Sequence, residues 1–207
     1  MPLVYQQNIN EHTQLGVWQI AEQEDFFSSA IPLRQEIMHP HKRLQHLAGR
    51  YLLKELKPDF PINLIQISAS SKPFLPGDNY FFSISHSGSY AAALVSHKIK
   101  VGVDIEMPVH KITRIQHKFL TELELLRLQK LSLSFVQQLT LGWSIKEAVF
   151  KWHGKGKVDF KKEICISEII YDGIEFSIRC DFFKEKHVVV SVTGFLFNDL
   201  ILVWVSE

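Results

Sequence analysis

Apolar residues recur along the chain with two different periods, which predict where its helices and strands lie. From about His41 to Leu56 they repeat at helical spacing, and Pro58 then ends the predicted helix. A second long helix is predicted from Phe135 to Trp152, and its apolar stripe consists of Leu141, Ile145, Ala148, Val149 and Trp152.

Short runs of β-branched and aromatic residues, bounded by turn residues, predict strands. These runs are Leu15–Ile20, Leu64–Ser68, Val101–Glu106, Ile164–Ile170, Ile174–Ile178, Val188–Val192 and Leu200–Val205. Residues 80–96 predict a hairpin with a tight turn at His86-Ser87-Gly88-Ser89. Asp172-Gly173 and Asn198-Asp199 are further turn signals.

Two less regular segments complete the pattern. Residues 21–30 predict a short helix, and residues 113–131 predict a longer one. Within it, Thr121 and Glu124 have the spacing of a capping box. A helix followed by strands occurs twice, which predicts an α+β fold of two similar lobes, residues 1–99 and 100–207, each with a long helix on a small, mainly antiparallel sheet.

Composition places the chain among globular proteins. Its 207 residues are 46% hydrophobic and 12% aromatic, so a substantial core can be buried. The formal net charge of +1 and the lack of a basic run disfavour nucleic acid as a partner.

No signal sequence or membrane-length apolar run is evident, so we expect a cytoplasmic monomer with no membrane partner. Cys165 and Cys180 lack metal-site spacing, which favours free thiols but leaves a disulfide open.

Two carboxylates lie on one face of the predicted strand at residues 101–106. Residues i and i+2 of a strand point to the same side, so Asp104 and Glu106 project together while Val101, Val103 and Ile105 face a core. On the second long helix, Glu147 and Lys151 fall opposite the apolar stripe. Three carboxylates without histidine or thiolate form a hard oxygen ligand set, which suits magnesium or manganese, most often with phosphate.

Each feature alone also has a simpler explanation. The strand carboxylates fit an exposed, solvated face, and Glu147 with Lys151 fits a surface i, i+4 ion pair. The basic residues of the first long helix, including Arg43 and Arg50, fit a solvated helix face. The turn at His86 offers backbone N–H groups and an imidazole to an anion, although a plain hairpin turn explains it equally well.

The motifs are more specific in combination. GVDIE at Gly102–Glu106 is followed by WSIKEAVFK at Trp143–Lys151, and the other stretches are SKPFL, SISHSG, FLTELE and GKGKVDF, at 71–75, 83–88, 119–124 and 154–160. Together they resemble the 4'-phosphopantetheinyl transferase superfamily, in particular its larger single-chain type that activates peptide and polyketide synthetases. The resemblance covers about residues 42–160. Ser71 departs from it, because many members have glycine before Lys-Pro.

The resemblance implies a fold, an activity and partners. The fold would be two α+β lobes related by a pseudo-twofold axis, with coenzyme A between them. The activity would be a magnesium-dependent (or manganese-dependent) transfer of the phosphopantetheine arm of coenzyme A to a serine hydroxyl of an apo acyl or peptidyl carrier protein. Adenosine 3',5'-bisphosphate would be the second product.

The resemblance also implies a role for each matching residue. Asp104, Glu106 and Glu147 would hold the metal on the pyrophosphate. Glu147, Lys151 and Glu124 would be catalytic, with Lys151 against the phosphates and Glu124 a base or water-positioning residue, unless it is only a helix cap. The implied coenzyme A contacts are Ser85, His86 and Arg50 at the 3'-phosphate, Lys72 and Pro73 near the adenine, and Arg43, Asp104 and Lys151.

Two rival functions remain. A generic magnesium phosphotransferase or nuclease would use the same carboxylates and lysine, but the chain lacks both nucleic-acid charge and a Walker-type glycine-rich loop. A non-catalytic module that binds coenzyme A or a carrier protein is the second alternative. Loss of a metal carboxylate or of Lys151 would have favoured that module, and all four residues are present.

Overall fold

The computed structural model describes residues 2–33, 36–68, 72–77 and 79–207. The chain divides into two compact units, and the first ends at Val101, close to the boundary expected after Ile99. Each unit combines a long helix with its own sheet, and every strand pair with a known register is antiparallel. The α+β class is therefore confirmed.

The first unit is built on a four-stranded sheet with the order β1-β2-β6-β5, beside a two-stranded β3-β4 ribbon. Its strands are β1 (Leu3–Asn10), β2 (Thr13–Gln19), β3 (Gln66–Ile67), β4 (Pro73–Phe74), β5 (Phe81–Ser87) and β6 (Tyr90–Ser96). Its helices are α1 (Glu24–Ser28), α2 (Pro40–Leu56) and a 3-10 turn at Ile62–Leu64. The predicted α2 is confirmed, whereas β1, an edge strand with mostly exposed or half-buried residues, was not anticipated.

The predicted hairpin exists, but its turn is shorter than the sequence indicated. β5 continues through Ser87, which pairs with Tyr90, and only Gly88 and Ser89 connect the strands. Gly88 has a φ of 54°, a left-handed conformation that a two-residue hairpin turn accepts from glycine. The placement of His86 in the turn was therefore wrong, because this turn lets the strand pairing extend past it.

The second unit has a five-stranded sheet with the order β7-β11-β10-β9-β8. Its strands are β7 (Val101–Glu106, whose first residue closes the first unit), β8 (Ile164–Tyr171), β9 (Glu175–Phe182), β10 (Val188–Phe197) and β11 (Leu200–Ser206). Its helices are α3 (Gln116–Phe119), α4 (Glu122–Leu128), α5 (Phe135–His153) and a 3-10 turn at His110–Arg114. Both predicted turns, after β8 and after β10, are confirmed.

The segment predicted as one helix over residues 113–131 is divided. Leu120 and Thr121 have extended backbones, with ψ angles of 141° and 164°, so α3 ends and α4 begins there. The cause is the capping box, because an N-cap residue needs an extended backbone for its side chain to reach the N–H group three residues on. The single long helix was wrong, and the Thr121–Glu124 capping box is confirmed.

The helix α5 covers the sheet of the second unit. Ser134 and Gln137 form a capping box at its start, and Gly154 ends it with a φ of 74°. Leu141, Ile145 and Val149 are fully buried in the core that α5 forms with β11, β10 and β8, which confirms the predicted stripe. No helix among the described residues is long and apolar enough to cross a membrane.

The two cysteines lie on adjacent strands and are free. Cys180 of β9 pairs with Ile166 of β8, whereas Cys165 pairs with Asp181. Paired residues point to the same face and neighbouring residues to opposite faces, so the two thiols point away from each other. The sheet register therefore excludes the disulfide that the sequence left open.

Candidate active site

Gly102 allows the backbone of β7 to lie directly against α5. A Cβ atom at Gly102 would clash with the carbonyl oxygen of Ala148 and would be 2.6 Å from the amide nitrogen of Trp152. Any side chain would force the strand and the helix apart. Because i and i+2 residues share a face, Asp104 and Glu106 lie on the same face as Gly102 and are carried toward α5.

Asp104 and Lys151 meet across this contact. Lys151 Nζ donates to Asp104 Oδ1 at 2.6 Å, and the two side chains are 23% and 2% exposed. The strand face that carries Asp104 is therefore buried, and the explanation by solvated carboxylates does not apply to it. The alternative Glu147–Lys151 surface pair is also absent, since the ammonium contacts the strand instead.

Glu147 lies one turn before Lys151 and close to both strand carboxylates. Burial, together with the charges of Asp104 and Glu106, raises its pKa to about 7 against the opposing effect of Lys151. The three carboxylates predicted as metal ligands therefore interact electrostatically. A hard divalent cation would relieve the repulsion that Asp104 and Glu106 exert on the charged form of Glu147.

The carboxylates are nevertheless not arranged as a finished metal cage. Across the described ranges, no group of three or more His, Cys, Asp or Glu side chains converges closely enough to hold a metal ion. The Lys151 ammonium stands at Asp104 Oδ1, where a cation would otherwise contact that oxygen. The donor chemistry fits magnesium or manganese, and the ligand set of Asp104, Glu106 and Glu147 stays a prediction.

Glu124 is buried away from solvent and fully hydrogen-bonded. Its Oε2 accepts from the Thr121 amide at 2.7 Å and hydroxyl at 2.9 Å. Its Oε1 accepts from the Ile166 amide at 2.9 Å and from Lys146 Nζ at 2.6 Å. The helix-cap role is confirmed; the role as base stays a prediction, and these contacts oppose it.

Lys146 of α5, which the sequence motifs did not single out as a site residue, is fully buried. The sequence did contain an indication that Lys146 is buried. The residues one turn before and after it on α5 are the apolar Gly142 and Val149, and both are buried. A lysine between such neighbours on a helix indicates either a snorkelling side chain or an internal ion pair. Here it is an internal ion pair with Glu124.

Basic side chains form a second candidate site within the first unit. Arg50 of α2 donates through Nη1 to the His46 carbonyl at 3.4 Å, and burial lowers its pKa to about 10. The pKa of His46 falls to about 4 because of burial and the charges of Arg50 and His86. The sequence predicted Arg50 and His86 but missed His46, although its i, i+4 spacing from Arg50 was visible.

Ser85 and His86 are consecutive residues of β5. Ser85 is buried and His86 is exposed, as expected for neighbours that point to opposite faces of a strand. Their side chains therefore do not converge on one point. A phosphate that contacts both would need a backbone group of one of them.

The remaining predicted contacts lie in the first unit. Arg43 donates through Nε to Glu24 at 2.7 Å and through Nη1 to the Ile37 carbonyl at 2.8 Å, which opposes a phosphate role. Lys72 precedes Pro73, where β4 begins, and burial and the charge of Lys100 lower its pKa to about 8. Ser71 lies outside the described residues.

Part of the chain matches a family model and several curated proteins. Residues 100–194, just under half of the chain, match the model described as "4'-phosphopantetheinyl transferase superfamily". Over 113 residues, the chain is 36% identical to "Enterobactin synthase component D" of Salmonella typhi (53% of this chain, 47% of the relative) and 33% identical to the Escherichia coli protein of that name (53% and 54%). It is 30% identical over 128 residues to a "Putative 4'-phosphopantetheinyl transferase" of Haemophilus influenzae (58% and 53%). The chain thus spans about half the length of the curated relatives it matches.

Proposed function

We propose, from the superfamily match over residues 100–194, that this protein is a 4'-phosphopantetheinyl transferase. It moves the phosphopantetheine arm of coenzyme A to a serine hydroxyl of an apo acyl or peptidyl carrier protein and releases adenosine 3',5'-bisphosphate. The observation that carries the proposal is the packing of β7 on α5. Gly102 permits this contact, which brings Asp104, Glu147 and Lys151 together.

In the proposed mechanism the protein mainly binds and orients the substrates. Asp104, Glu106 and Glu147 hold magnesium or manganese, which supplies positive charge against the pyrophosphate when bound. The serine oxygen bonds to the β-phosphorus as the bond from that phosphorus to the bridging oxygen breaks. The hydroxyl proton passes to water, and adenosine 3',5'-bisphosphate leaves with the electron pair. The Lys151 ammonium, held beside Asp104, offsets the charge on the departing oxygen.

The basic cluster of the first unit supports a place for the 3'-phosphate. Burial lowers the pKa of Arg50, and the charges of Arg50 and His86 lower the pKa of His46, so an anion there would relieve repulsion among three basic groups. We assign the 3'-phosphate to Arg50, His86 and the backbone near Ser85. His46 adds a further donor.

The proposal is tested with purified protein, magnesium, coenzyme A and a panel of apo carriers. Each accepted carrier should gain about one phosphopantetheine mass, and the names of the relatives make a carrier domain of an enterobactin synthase the first acceptor to try. Glu147→Gln should abolish transfer, whereas the exposed control Glu122→Gln should not. Coenzyme A binding without mass gain on any carrier would favour the non-catalytic binding module instead.

Three further expectations depend on this assignment. The pseudo-twofold relation between the lobes would appear in an experimental structure with coenzyme A. A monomer would give the mass of one chain in light scattering. A cytoplasmic location would appear as recovery of the protein in the soluble fraction after cell lysis.

A further inference from the structure

Lys146 carries an ammonium group that is fully buried in the second unit. Its Nζ lies 2.6 Å from Glu124 Oε1, 2.8 Å from the Phe160 carbonyl oxygen and 2.7 Å from the Ile164 carbonyl oxygen. An ammonium has three donor hydrogens, and these contacts use all three. Lys146 therefore has no donor left for a ligand.

The carboxylate of Glu124, the partner of Lys146, also has all its hydrogen-bonding positions occupied. Its two oxygens accept from Lys146, from the Ile166 amide and from two groups of Thr121, which fills the roughly four lone-pair positions of a carboxylate. The pair thereby ties the start of α4 and the middle of α5 to β8. A buried ion pair adds little stability compared with apolar packing, because both charges must be desolvated, but its hydrogen bonds have fixed directions.

We propose that Lys146 and Glu124 are positioning residues, whose buried ion pair sets the rotation of α5 about its axis so that Glu147 and Lys151 face Asp104. β7 and β8 are the opposite edges of the five-stranded sheet, and α5 packs across it. Lys146 donates a hydrogen bond to the Ile164 carbonyl at the β8 edge, and Lys151 contacts Asp104 at the β7 edge. The apolar packing between these points is non-directional, so the two polar contacts fix the rotation.

This inference rests on the proposed function and specifies the role of Glu124 within it. Glu124 is 2% exposed and its oxygens are fully engaged, so it is not the group that accepts the proton of the incoming serine. It acts through Lys146 on the neighbouring residue, Glu147. Outer partners that orient metal ligands in this way typically change metal affinity about 10-fold to 100-fold when they are lost.

The test compares Glu124→Gln, Lys146→Met, Lys146→Arg and the double variant Glu124→Gln/Lys146→Met with two exposed controls, Glu122→Gln and Lys130→Met. Denaturant unfolding of each variant comes first. Glu124→Gln and Lys146→Met each leave one buried charge without its partner, so their midpoints should fall, and the double variant should recover part of the loss. The controls should unfold like the wild type.

The second measurement titrates folded protein with manganese(II) in the presence of coenzyme A, with free metal followed by electron paramagnetic resonance. Lys146→Met should weaken manganese binding by about 10-fold or more, and Lys146→Arg should recover part of it. In transfer assays the kcat of Glu124→Gln should fall while the KM for coenzyme A changes by less than about two-fold, and the double variant should recover turnover relative to Glu124→Gln.

The outcomes separate the possible roles. Equal loss of turnover in Glu124→Gln and in the double variant, with wild-type manganese affinity, would make Glu124 the base and overturn the proposal. Unchanged manganese affinity in folded Lys146→Met, or no manganese binding by the wild type, would reduce the pair to a purely structural role. If the wild type transfers nothing to any carrier but binds manganese, the proposed function fails and the titration still decides this inference.

Discussion

Burial sets the charge state of individual side chains at both candidate sites. Glu147 and His46 are each partly removed from water, so the neutral form of each side chain is favoured over its charged form. The pKa of the acid therefore rises to about 7, and that of the base falls to about 4. Each group is held near a ligand of opposite charge in the proposed complex, so binding would reverse both shifts.

Glu147→Gln should stabilise the protein at high pH in the absence of metal. The folded-state pKa of Glu147, about 7, lies above its ordinary value of 4.5, so the wild type loses unfolding free energy as pH rises through this window. The variant lacks this loss, and it should be about 1–3 kcal/mol more stable at about pH 8 and equal to the wild type near pH 4. Denaturant unfolding at several pH values measures this, and a gain that does not grow with pH would contradict it.

Sulfate should protect the fold more at about pH 5.5 than at about pH 8. An anion near His46 and Arg50 favours the charged imidazole, so binding takes up a proton and strengthens as pH falls from the ordinary pKa of 6.5 toward about 4. The Tm shift caused by sulfate measures the effect. His46→Gln should remove most of the pH dependence, and an equal shift at both pH values would show that His46 does not contact the anion.

At the scale of elements, the decisive feature is the close contact between a strand and a helix. Gly102 and the two carboxylates share one face of β7, and α5 lies against that face. Glycine is needed in the GVDIE motif because any side chain there would clash with α5. The acidic residues beside it interact electrostatically with side chains of α5. Neither element alone would bring Asp104 to Lys151.

Gly102→Ala should reduce both stability and transfer. The added Cβ would meet backbone atoms of α5 that cannot move aside individually, which should cost about 1–3 kcal/mol of unfolding free energy. The matched control is Gly16→Ala in β2, whose Cβ would meet only side-chain ends of Leu56 and Leu52, the nearest at 2.9 Å. Gly16→Ala should cost less and leave the kcat unchanged; equal effects of the two changes would refute the role of the β7–α5 contact.

At the scale of the whole molecule, the chain forms two units that each have their own core. The match to the superfamily model begins almost where the second unit begins. The carboxylates, Lys151 and the buried pair all belong to this second unit. The basic cluster around Arg50 belongs to the first.

The whole protein should contain two thiols and no disulfide. In denaturant, a thiol reagent should therefore react with two groups without prior reduction. In the native state Cys180 should react very slowly, because it is fully buried and burial raises the pKa of its thiol far above the ordinary value. A reductant should leave the Tm unchanged, and fewer than two reactive thiols in denaturant would disprove the sheet register around these residues.

The sequence by itself determined the local features of this protein. The period of apolar residues located α2 and α5, the spacing of Thr121 and Glu124 identified a capping box, and the motifs brought out Asp104, Glu147 and Lys151 as candidates. These features depend on residues that are close along the chain, where backbone geometry fixes which side chains share a face.

Only the tertiary structure decided which partners those residues have. Arg43 pairs with Glu24, His86 lies within β5, Lys146 is buried on Glu124, and Glu147 has a raised pKa. These facts depend on how separate elements pair and, for Lys146 and Glu147, on burial, which changes the free energy of a charge by more than local spacing can indicate. The cap-or-base question about Glu124 shows the difference: its spacing suggested the cap, the family resemblance implied the base, and the Lys146 contact indicates a third role.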